Sequence, residues 1–169
     1  SRVAGLPFMH FSAVTSGVKD VREVLKAARL RVASESRRSI LFVDEIHHFN
    51  KSQQDAFLPY VEDGTIVLIG ATIENPSFYL NRALLSRARV VVVEPRSVDE
   101  LRQILARALS VDEQLRARVD EAGDAALTRL ATAANGDARR ALNLLEDCAA
   151  LLAAEGLRCL DVEVLDRFA

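Results

Sequence analysis

Two adjacent acidic residues, Asp44 and Glu45, directly follow an apolar run at residues 40–43. Because this run is too short for a buried helix, it predicts a strand covered on both faces within a parallel sheet. Ligands bind at the carboxyl ends of such strands. One carboxylate there can hold Mg2+ through water, and the next can orient and deprotonate a water that attacks a phosphate. The pair therefore predicts nucleotide hydrolysis; two acids that merely cap a strand at the solvent boundary are the alternative.

Apolar runs of strand length recur along the first part of the chain. They predict four strands at residues 7–13, 40–44, 66–71 and 90–93, with helices at residues 18–32, 51–62 and 80–85 between them. Asn50 is the expected N-cap of the second helix, and Pro59 is expected to bend or shorten that helix. The alternation predicts a doubly wound α/β domain over residues 1–95.

The pattern changes to helix after Pro95. Ser97 and Glu100 form the sequence signature of a capping box, and Asn135-Gly136 separates two later helical patterns. Helices are expected at residues 97–109, 124–134, 137–155 and 161–168. Residues 96–169 are therefore predicted to form a small all-helical domain.

Bulk properties narrow the class of protein. The 169 residues carry a formal net charge of −2, so no global basic field attracts nucleic acid, and a DNA partner would need a local patch. No apolar run approaches the roughly 18 to 20 residues that span a bilayer, and the N-terminus lacks a signal-peptide layout. Cys148 and Cys159 lie in no zinc-binding pattern. We expect a cytoplasmic protein without membrane contact.

Four blocks of sequence together point to a family. They are SAVTSGVKDVRE at residues 12–23, DEIHHFNKSQQDAFLPYVEDGTIVLIGATIENPSF at 44–78, ALLSRARV at 83–90 and NGDARRALNLLE at 135–146. In these blocks the chain resembles AAA+ ATPases of the replication-associated recombination protein A family, whose eukaryotic relatives are Werner-helicase-interacting proteins. The resemblance implies an AAA+ (P-loop NTPase-like) parallel sheet with flanking helices, incomplete at its N-terminus, followed by a helical lid.

The resemblance also implies roles for individual residues. Asp44 matches the Walker B aspartate that holds Mg2+ through water, and Glu45 matches the glutamate that activates water. Arg87 matches the arginine finger that reaches the γ-phosphate bound by a neighbouring subunit, a task suited to a permanently charged, forked guanidinium. Arg139 matches the sensor 2 arginine of the lid, with Arg140 as a weaker candidate.

Other polar positions have less specific matches. Thr72 and Asn75 are rival candidates for the sensor 1 group that contacts the γ-phosphate. Ser12 matches a polar residue that restrains the Walker B glutamate, with an ordinary strand-end hydroxyl as the alternative. The neighbouring His47 and His48 are expected to point to opposite sides of extended backbone, which makes them a poor metal chelate.

The phosphate-binding sequence Gly-x-x-x-x-Gly-Lys-Ser/Thr does not occur in these 169 residues. Family order implies that its strand, loop and helix come just before Ser1, and that its strand lies between the strands predicted at residues 66–71 and 90–93. The isolated chain is therefore expected to be inactive as an ATPase. It is also expected to pair those two strands directly, to recruit a strand from another molecule, or to aggregate.

The function implied for the full-length parent is DNA-dependent hydrolysis of ATP, with Mg2+, in replication-fork maintenance and recombination. The implied partners are a DNA fork or single-strand/double-strand junction and further copies of the chain, with a tetramer as the expected assembly. Single-stranded-DNA-binding protein is a candidate partner, and a nucleoid-associated location within the cytoplasm is also implied. Two alternatives stay open: a Holliday-junction branch-migration motor subunit, and a non-hydrolysing clamp-loader-like adaptor that supplies Arg87 to a partner.

Overall fold

The computed structural model describes residues 5–15 and 17–168. The chain divides into two compact units, Ser1–Val91 and Val92–Ala169, whereas the sequence placed the division after residue 95. Within the described residues, no helix is both long enough and apolar enough to cross a membrane.

The first unit is built on a parallel sheet of three strands. They are β1 (Phe8–Ser12), β2 (Ser39–Asp44) and β3 (Ile66–Gly70), in the order β1-β2-β3. The register places Ser12 opposite Asp44, and Val43 opposite Gly70. The predicted parallel sheet is therefore confirmed for these strands, and their carboxyl ends meet at one edge.

Among the described residues, the first unit also contains six helical segments. They are α1 (Val18–Glu35), α2 (Lys51–Asp55), α3 (Leu58–Glu62), α4 (Pro76–Tyr79), α5 (Arg82–Leu85) and a 3₁₀ turn at Ile46–His48. The single helix expected at residues 51–62 is in fact two, α2 and α3. Pro59 has no N–H for the carbonyl of Asp55, and its ring would clash with that carbonyl in a continuous helix. Asn50 caps α2 as expected, since its side chain accepts a hydrogen bond from Gln53 N.

The two faces of the sheet differ in burial. One face packs Leu41 and Val43 against α1 and α3, and the buried set also includes Val21, Leu25, Ala28, Ile46, Phe49, Phe57 and Ile66. The opposite face leaves Phe8, Val67 and Ile69 between 41% and 51% exposed. The register places these last side chains on the same side because alternate residues of a strand point the same way.

The strand predicted at residues 90–93 is wrong. These four valines have no strand assignment, and their exposed fractions run from 57% to 85%. Direct pairing of this segment with residues 66–71, one of the three outcomes expected for the isolated chain, does not occur, since β3 pairs only with β2 among the described strands. A strand requires a hydrogen-bonded neighbour as well as an apolar sequence.

The second unit is mainly helical. It contains α6 (Val98–Val111), α7 (Glu113–Arg118), β4 (Glu121–Ala122), α8 (Asp124–Ala133), α9 (Ala138–Ala154), β5 (Cys159–Leu160) and α10 (Val162–Phe168). The sequence prediction missed α7 and the short parallel pair β4–β5. The capping box is confirmed: Glu100 N donates to Ser97 Oγ over 3.2 Å, and Ser97 N donates to Glu100 Oε2 over 2.9 Å. The Ser97 N–H and the Arg96 guanidinium hold the pKa of Glu100 below its usual value.

A buried glutamine ties the helices of the first unit together. The Gln54 side-chain nitrogen donates to the carbonyls of Phe49, over 2.8 Å, and Tyr79, over 2.9 Å. Its side-chain oxygen accepts from Asn81 N over 2.8 Å. Gln54 is only 1% exposed, so water cannot replace these partners without a rearrangement. This one side chain therefore fixes the chain before α2, the end of α4 and the start of α5.

We expect Gln54→Leu to destabilise the protein by about 3 kcal/mol or more, because three backbone groups lose their partner at about 1 kcal/mol or more each. The matched control is Gln53→Leu, which removes only the capping contact with Asn50 N and should cost roughly 0.5 to 1 kcal/mol. Urea unfolding of both variants measures the difference. Equal losses would contradict the role assigned to Gln54.

Candidate nucleotide-hydrolysis site

Asp44 lies at the carboxyl end of β2 and is available to a ligand. Its backbone oxygen accepts from Ala13 N over 3.0 Å, which fixes the end of β2 beside β1. The side chain is half-buried. Within residues 5–15 and 17–168, no hydrogen bond or ion pair engages its carboxylate. A carboxylate free at this edge has the oxygen chemistry that Mg2+ prefers, so the residue fits its predicted role.

Glu45 turns the chain sharply out of β2. Its backbone is left-handed, with φ of 52°, a conformation that costs a residue with a side chain free energy. The 3₁₀ turn at Ile46–His48 follows immediately. Positive φ at a non-glycine residue clusters at functional sites, and here it separates the directions of two neighbouring carboxylates.

The end of β3 holds this turn in place. Ile46 N donates to Ala71 O over 3.0 Å, and Ala71 N donates to Val43 O over 2.9 Å. A Cβ atom at Gly70 would lie 2.9 Å from Ile46 Cδ1 and 3.1 Å from its Cγ2. Glycine is therefore needed in the Ile69-Gly70-Ala71-Thr72 segment because the Ile46 side chain packs directly against the strand.

His47 joins two of the predicted site residues. Its Nδ1 atom lies 3.2 Å from Glu45 Oε2 and 2.9 Å from Thr72 Oγ1. The His47 side chain is 10% exposed, and that of Glu45 is 34% exposed. His47 was not among the residues predicted to form the site. The missed signal is the glycine of residues 69–72, which lets the turn after β2 approach the end of β3.

The rival sensor 1 candidates differ in their surroundings. Thr72 is half-buried, and its Oγ1 accepts from Glu74 N over 3.0 Å in addition to its contact with His47. Asn75 is exposed and caps α4, since its Oδ1 accepts from Ser77 N over 3.0 Å. The structure therefore brings Thr72 together with Glu45 through His47, whereas the side-chain oxygen of Asn75 is occupied by its own helix.

Ser12 lies opposite Asp44 in the register of β1 and β2. Within the described parts of the chain, its hydroxyl makes no hydrogen bond to Glu45. Its predicted role in restraining Glu45 therefore has no direct contact behind it.

The expectation that His47 and His48 point to opposite sides is wrong. They lie on the 3₁₀ turn, and their ring centroids are 4.2 Å apart. One ligand atom from each of Glu45, His47 and His48 lies within 4.8 Å of the others. Carboxylate and imidazole are donors that several divalent transition metals accept, so the geometric objection to a metal at this turn no longer applies.

Arg87 lies at the surface just after α5. Its Nη2 forms an ion pair with Glu62 Oε1 at 2.6 Å, and its Nη1 donates to Ala83 O over 2.9 Å. The Arg87 side chain remains 41% exposed. A partly exposed ion pair of this kind contributes little stability, so the guanidinium can leave Glu62 for a stronger anion.

The candidate sensor 2 residues belong to the second unit. Arg139 and Arg140 lie in the first turn of α9 and are both exposed, and their backbone N–H groups donate to Asp137 Oδ1. Gly136 precedes this cap with φ of 83°, and a Cβ atom there would lie 2.6 Å from Pro95 Cβ. The glycine is therefore required, and the start of α9 is fixed with both guanidinium groups on the surface.

A parallel sheet whose carboxyl edge carries an Asp-Glu pair, with a helical unit after it, defines a class of ATPase folds. The family model described as ATPase family associated with various cellular activities (AAA) matches residues 2–96. The chain belongs to this family. Its likeness to a solved Thermotoga maritima RuvB Holliday junction branch migration motor has a TM-score of 0.75 and 25% identity, covering 95% of this chain and 51% of that one. The predicted AAA+ fold is confirmed.

The sequence relatives belong to a narrower group of proteins than the AAA family model describes. Replication-associated recombination protein A of Escherichia coli strain K12 is 48% identical over 172 residues, covering 100% of this chain and 38% of the relative. The Haemophilus influenzae protein of the same name is 53% identical over 138 residues, covering 80% of this chain and 30% of the relative. ATPase WRNIP1 of Dictyostelium discoideum is 48% identical over 135 residues, 80% of this chain and 15% of the relative. The predicted resemblance is confirmed, and the chain spans well under half the length of these relatives.

Proposed function

We propose that the chain is the hydrolytic core of a DNA-dependent AAA+ ATPase that acts in replication-associated recombination. The observation that carries the proposal is the pair Asp44 and Glu45 at the carboxyl edge of the sheet. Among the described residues no hydrogen bond or ion pair engages the Asp44 carboxylate, and His47 Nδ1 lies 3.2 Å from Glu45 Oε2 and 2.9 Å from Thr72 Oγ1. The names of the relatives at 48% to 53% identity support the cellular process.

In the proposed reaction, ATP is hydrolysed to ADP and phosphate. Asp44 would hold Mg2+, which when bound neutralises charge on the phosphate oxygens. Glu45 orients the attacking water and accepts its proton. Thr72 donates its hydroxyl to the γ-phosphate, and Asn75, whose oxygen caps α4, is the second candidate for that contact.

Arginines from other parts of the protein complete the proposed site. Arg87 leaves Glu62 and reaches the γ-phosphate held by a neighbouring subunit, where it stabilises the charge of the transition state. Arg139 serves as the sensor 2 group of the lid. Because Arg87 acts in the site of a neighbouring subunit, the protein must form an oligomer, and we propose a tetramer of the full-length protein. We propose that this tetramer is located on the nucleoid in the cytoplasm. Single-stranded-DNA-binding protein is the proposed protein partner.

The branch-migration motor is the second candidate, because the fold likeness to RuvB covers 95% of the chain. The higher identity to the recombination proteins favours the first proposal. An adaptor that binds without hydrolysis would still present Arg87 to a partner, but it would not need Glu45 in a strained, left-handed turn.

Hydrolysis of ATP by the purified full-length protein distinguishes these functions. Rates are measured without DNA, with a duplex, with a fork and with a four-way junction of equal nucleotide content. The proposal predicts Mg2+-dependent hydrolysis that the fork stimulates more than the duplex. Strongest stimulation by the four-way junction would support the motor, and absence of hydrolysis under every condition would support the adaptor.

A further inference from the structure

We propose that His47 is the positioning residue for Glu45 and that it couples Glu45 to Thr72. The inference deepens the proposed function and rests on it, since it assigns Glu45 to water activation. It starts from one atom, His47 Nδ1, which lies within 3.2 Å of a carboxylate oxygen and 2.9 Å of a hydroxyl oxygen.

The two carboxylate oxygens of Glu45 differ in their surroundings. Oε2 is buried, and no hydrogen bond of good geometry reaches it, although His47 Nδ1 lies at ion-pair distance. A small rotation of the ring would bring an Nδ1–H group onto this oxygen. Since the side chain as a whole is 34% exposed, its exposure falls on its other atoms. Anchoring Oε2 therefore leaves Oε1 to face a water.

The position of the hydrogen on the His47 ring decides whether Nδ1 donates or accepts. In a neutral imidazole, Nδ1 either carries a hydrogen and donates, or presents a lone pair and accepts. As a donor, Nδ1 holds Glu45. As an acceptor, it uses its one lone pair for the hydroxyl hydrogen of Thr72, and it has no hydrogen left with which to hold the carboxylate of Glu45.

The third step concerns the hydroxyl of Thr72. Its oxygen already accepts from Glu74 N, so the group has one hydrogen left to donate. When a phosphate oxygen takes that hydrogen, Nδ1 loses its donor, and the neutral tautomer with hydrogen on Nδ1, which can hold Glu45, becomes favoured. The proton leaves Nε2 and arrives at Nδ1 by exchange with water. A phosphate at Thr72 thereby orients the base at Glu45.

This coupling gives His47 a task that the sequence analysis assigned to Ser12. Ser12 lies beside Asp44 on β1 and makes no hydrogen bond to Glu45 within the described residues. His47 is on the same turn as Glu45, and its side chain is nearly buried, so its position is fixed by packing. Tyr79 contacts the ring edge-on, with centroids 5.8 Å apart.

The kinetic test uses the full-length protein. His47→Ala should lower kcat for ATP by roughly 10- to 100-fold, because a misplaced catalytic group loses its orientation. The KM for ATP and the affinity for a non-hydrolysable analogue should stay at wild-type values. His10→Ala, which removes an exposed histidine of β1, is the matched control and should keep wild-type kcat.

A double-mutant cycle tests the link to Thr72. If Thr72 acts on Glu45 through His47, then Thr72→Val should slow turnover much less in the His47→Ala background than in the wild type. Equal factors in both backgrounds would show that Thr72 and His47 act independently, which would overturn the coupling.

A spectroscopic readout is independent of turnover. Nitrogen-15 NMR of histidine-labelled protein should show the Nδ1–H tautomer of His47 increasing when a non-hydrolysable ATP analogue and Mg2+ are added. Thr72→Val should abolish the change, and Glu45→Ala should alter the His47 signals without nucleotide. Unaltered signals in Glu45→Ala would overturn the proposed contact.

The outcomes separate the two proposals. A wild-type protein that hydrolyses no ATP overturns the proposed function and this inference together. An active wild-type protein in which His47→Ala and His10→Ala have equal kcat overturns the inference alone.

Discussion

Glu45→Gln in the full-length protein should bind ATP with wild-type affinity and lose turnover by roughly 10²- to 10⁴-fold. The amide keeps the size of the side chain and can still accept a hydrogen bond from His47, but it cannot take a proton from water. Filter binding with labelled ATP and a phosphate-release assay measure the two properties on the same sample.

Glu74→Gln is the matched control for this substitution. Glu74 lies close in sequence to Thr72 and is half-buried, but among the described residues its carboxylate makes no hydrogen bond or ion pair. The control should retain turnover. Near wild-type hydrolysis by Glu45→Gln would remove Glu45 from the mechanism, whereas loss of ATP binding would indicate a structural effect.

Arg87→Ala should lower turnover by roughly 10³- to 10⁵-fold, the range expected for an arginine that stabilises a phosphoryl-transfer transition state. Because we place this arginine in the site of a neighbouring subunit, mixtures of two inactive variants test whether it acts between subunits. Subunits with Arg87→Ala and subunits with Glu45→Gln should each be inactive alone and regain part of the activity when mixed. At some interfaces one subunit then supplies an intact base and the other an intact arginine.

Two single substitutions control this experiment. Arg89→Ala removes an exposed arginine from the same segment and should leave turnover unchanged. Glu62→Gln removes the partner that holds Arg87 within its own chain and should also retain activity, because Glu62 has no part in the reaction. If both inactive variants form oligomers and mixing restores nothing, Arg87 does not act between subunits.

Local sequence was sufficient to predict one central feature of each unit. The strand before Asp44 was predictable because its apolar run alone indicates a buried strand. Three of the four residues of that run are buried, and Phe42 is partly exposed. The capping box at Ser97 and Glu100 was likewise predictable, since all its partners lie within four positions. The same local reasoning failed for residues 90–93, because a strand also depends on a neighbour that its own sequence does not specify.

The contacts of the site could not be predicted in the same way. The contact between His47 and Thr72 depends on a left-handed backbone at Glu45. A glutamate rarely adopts this conformation, so the sequence does not predict it. The ion pair of Arg87 with Glu62 joins two segments that only the folded chain brings together. Residue types and family blocks identified which groups matter, whereas their hydrogen-bond partners required the structure.

The most direct test of the account is a cryo-electron microscopy structure of the full-length Glu45→Gln protein with ATP and Mg2+. We predict the γ-phosphate at the carboxyl end of β2, with the metal beside the Asp44 carboxylate and the side chain at position 45 facing the γ-phosphate. An ATP molecule bound away from this edge, with Asp44 and position 45 remote from its phosphates, would contradict the assignment of this chain as the hydrolytic core.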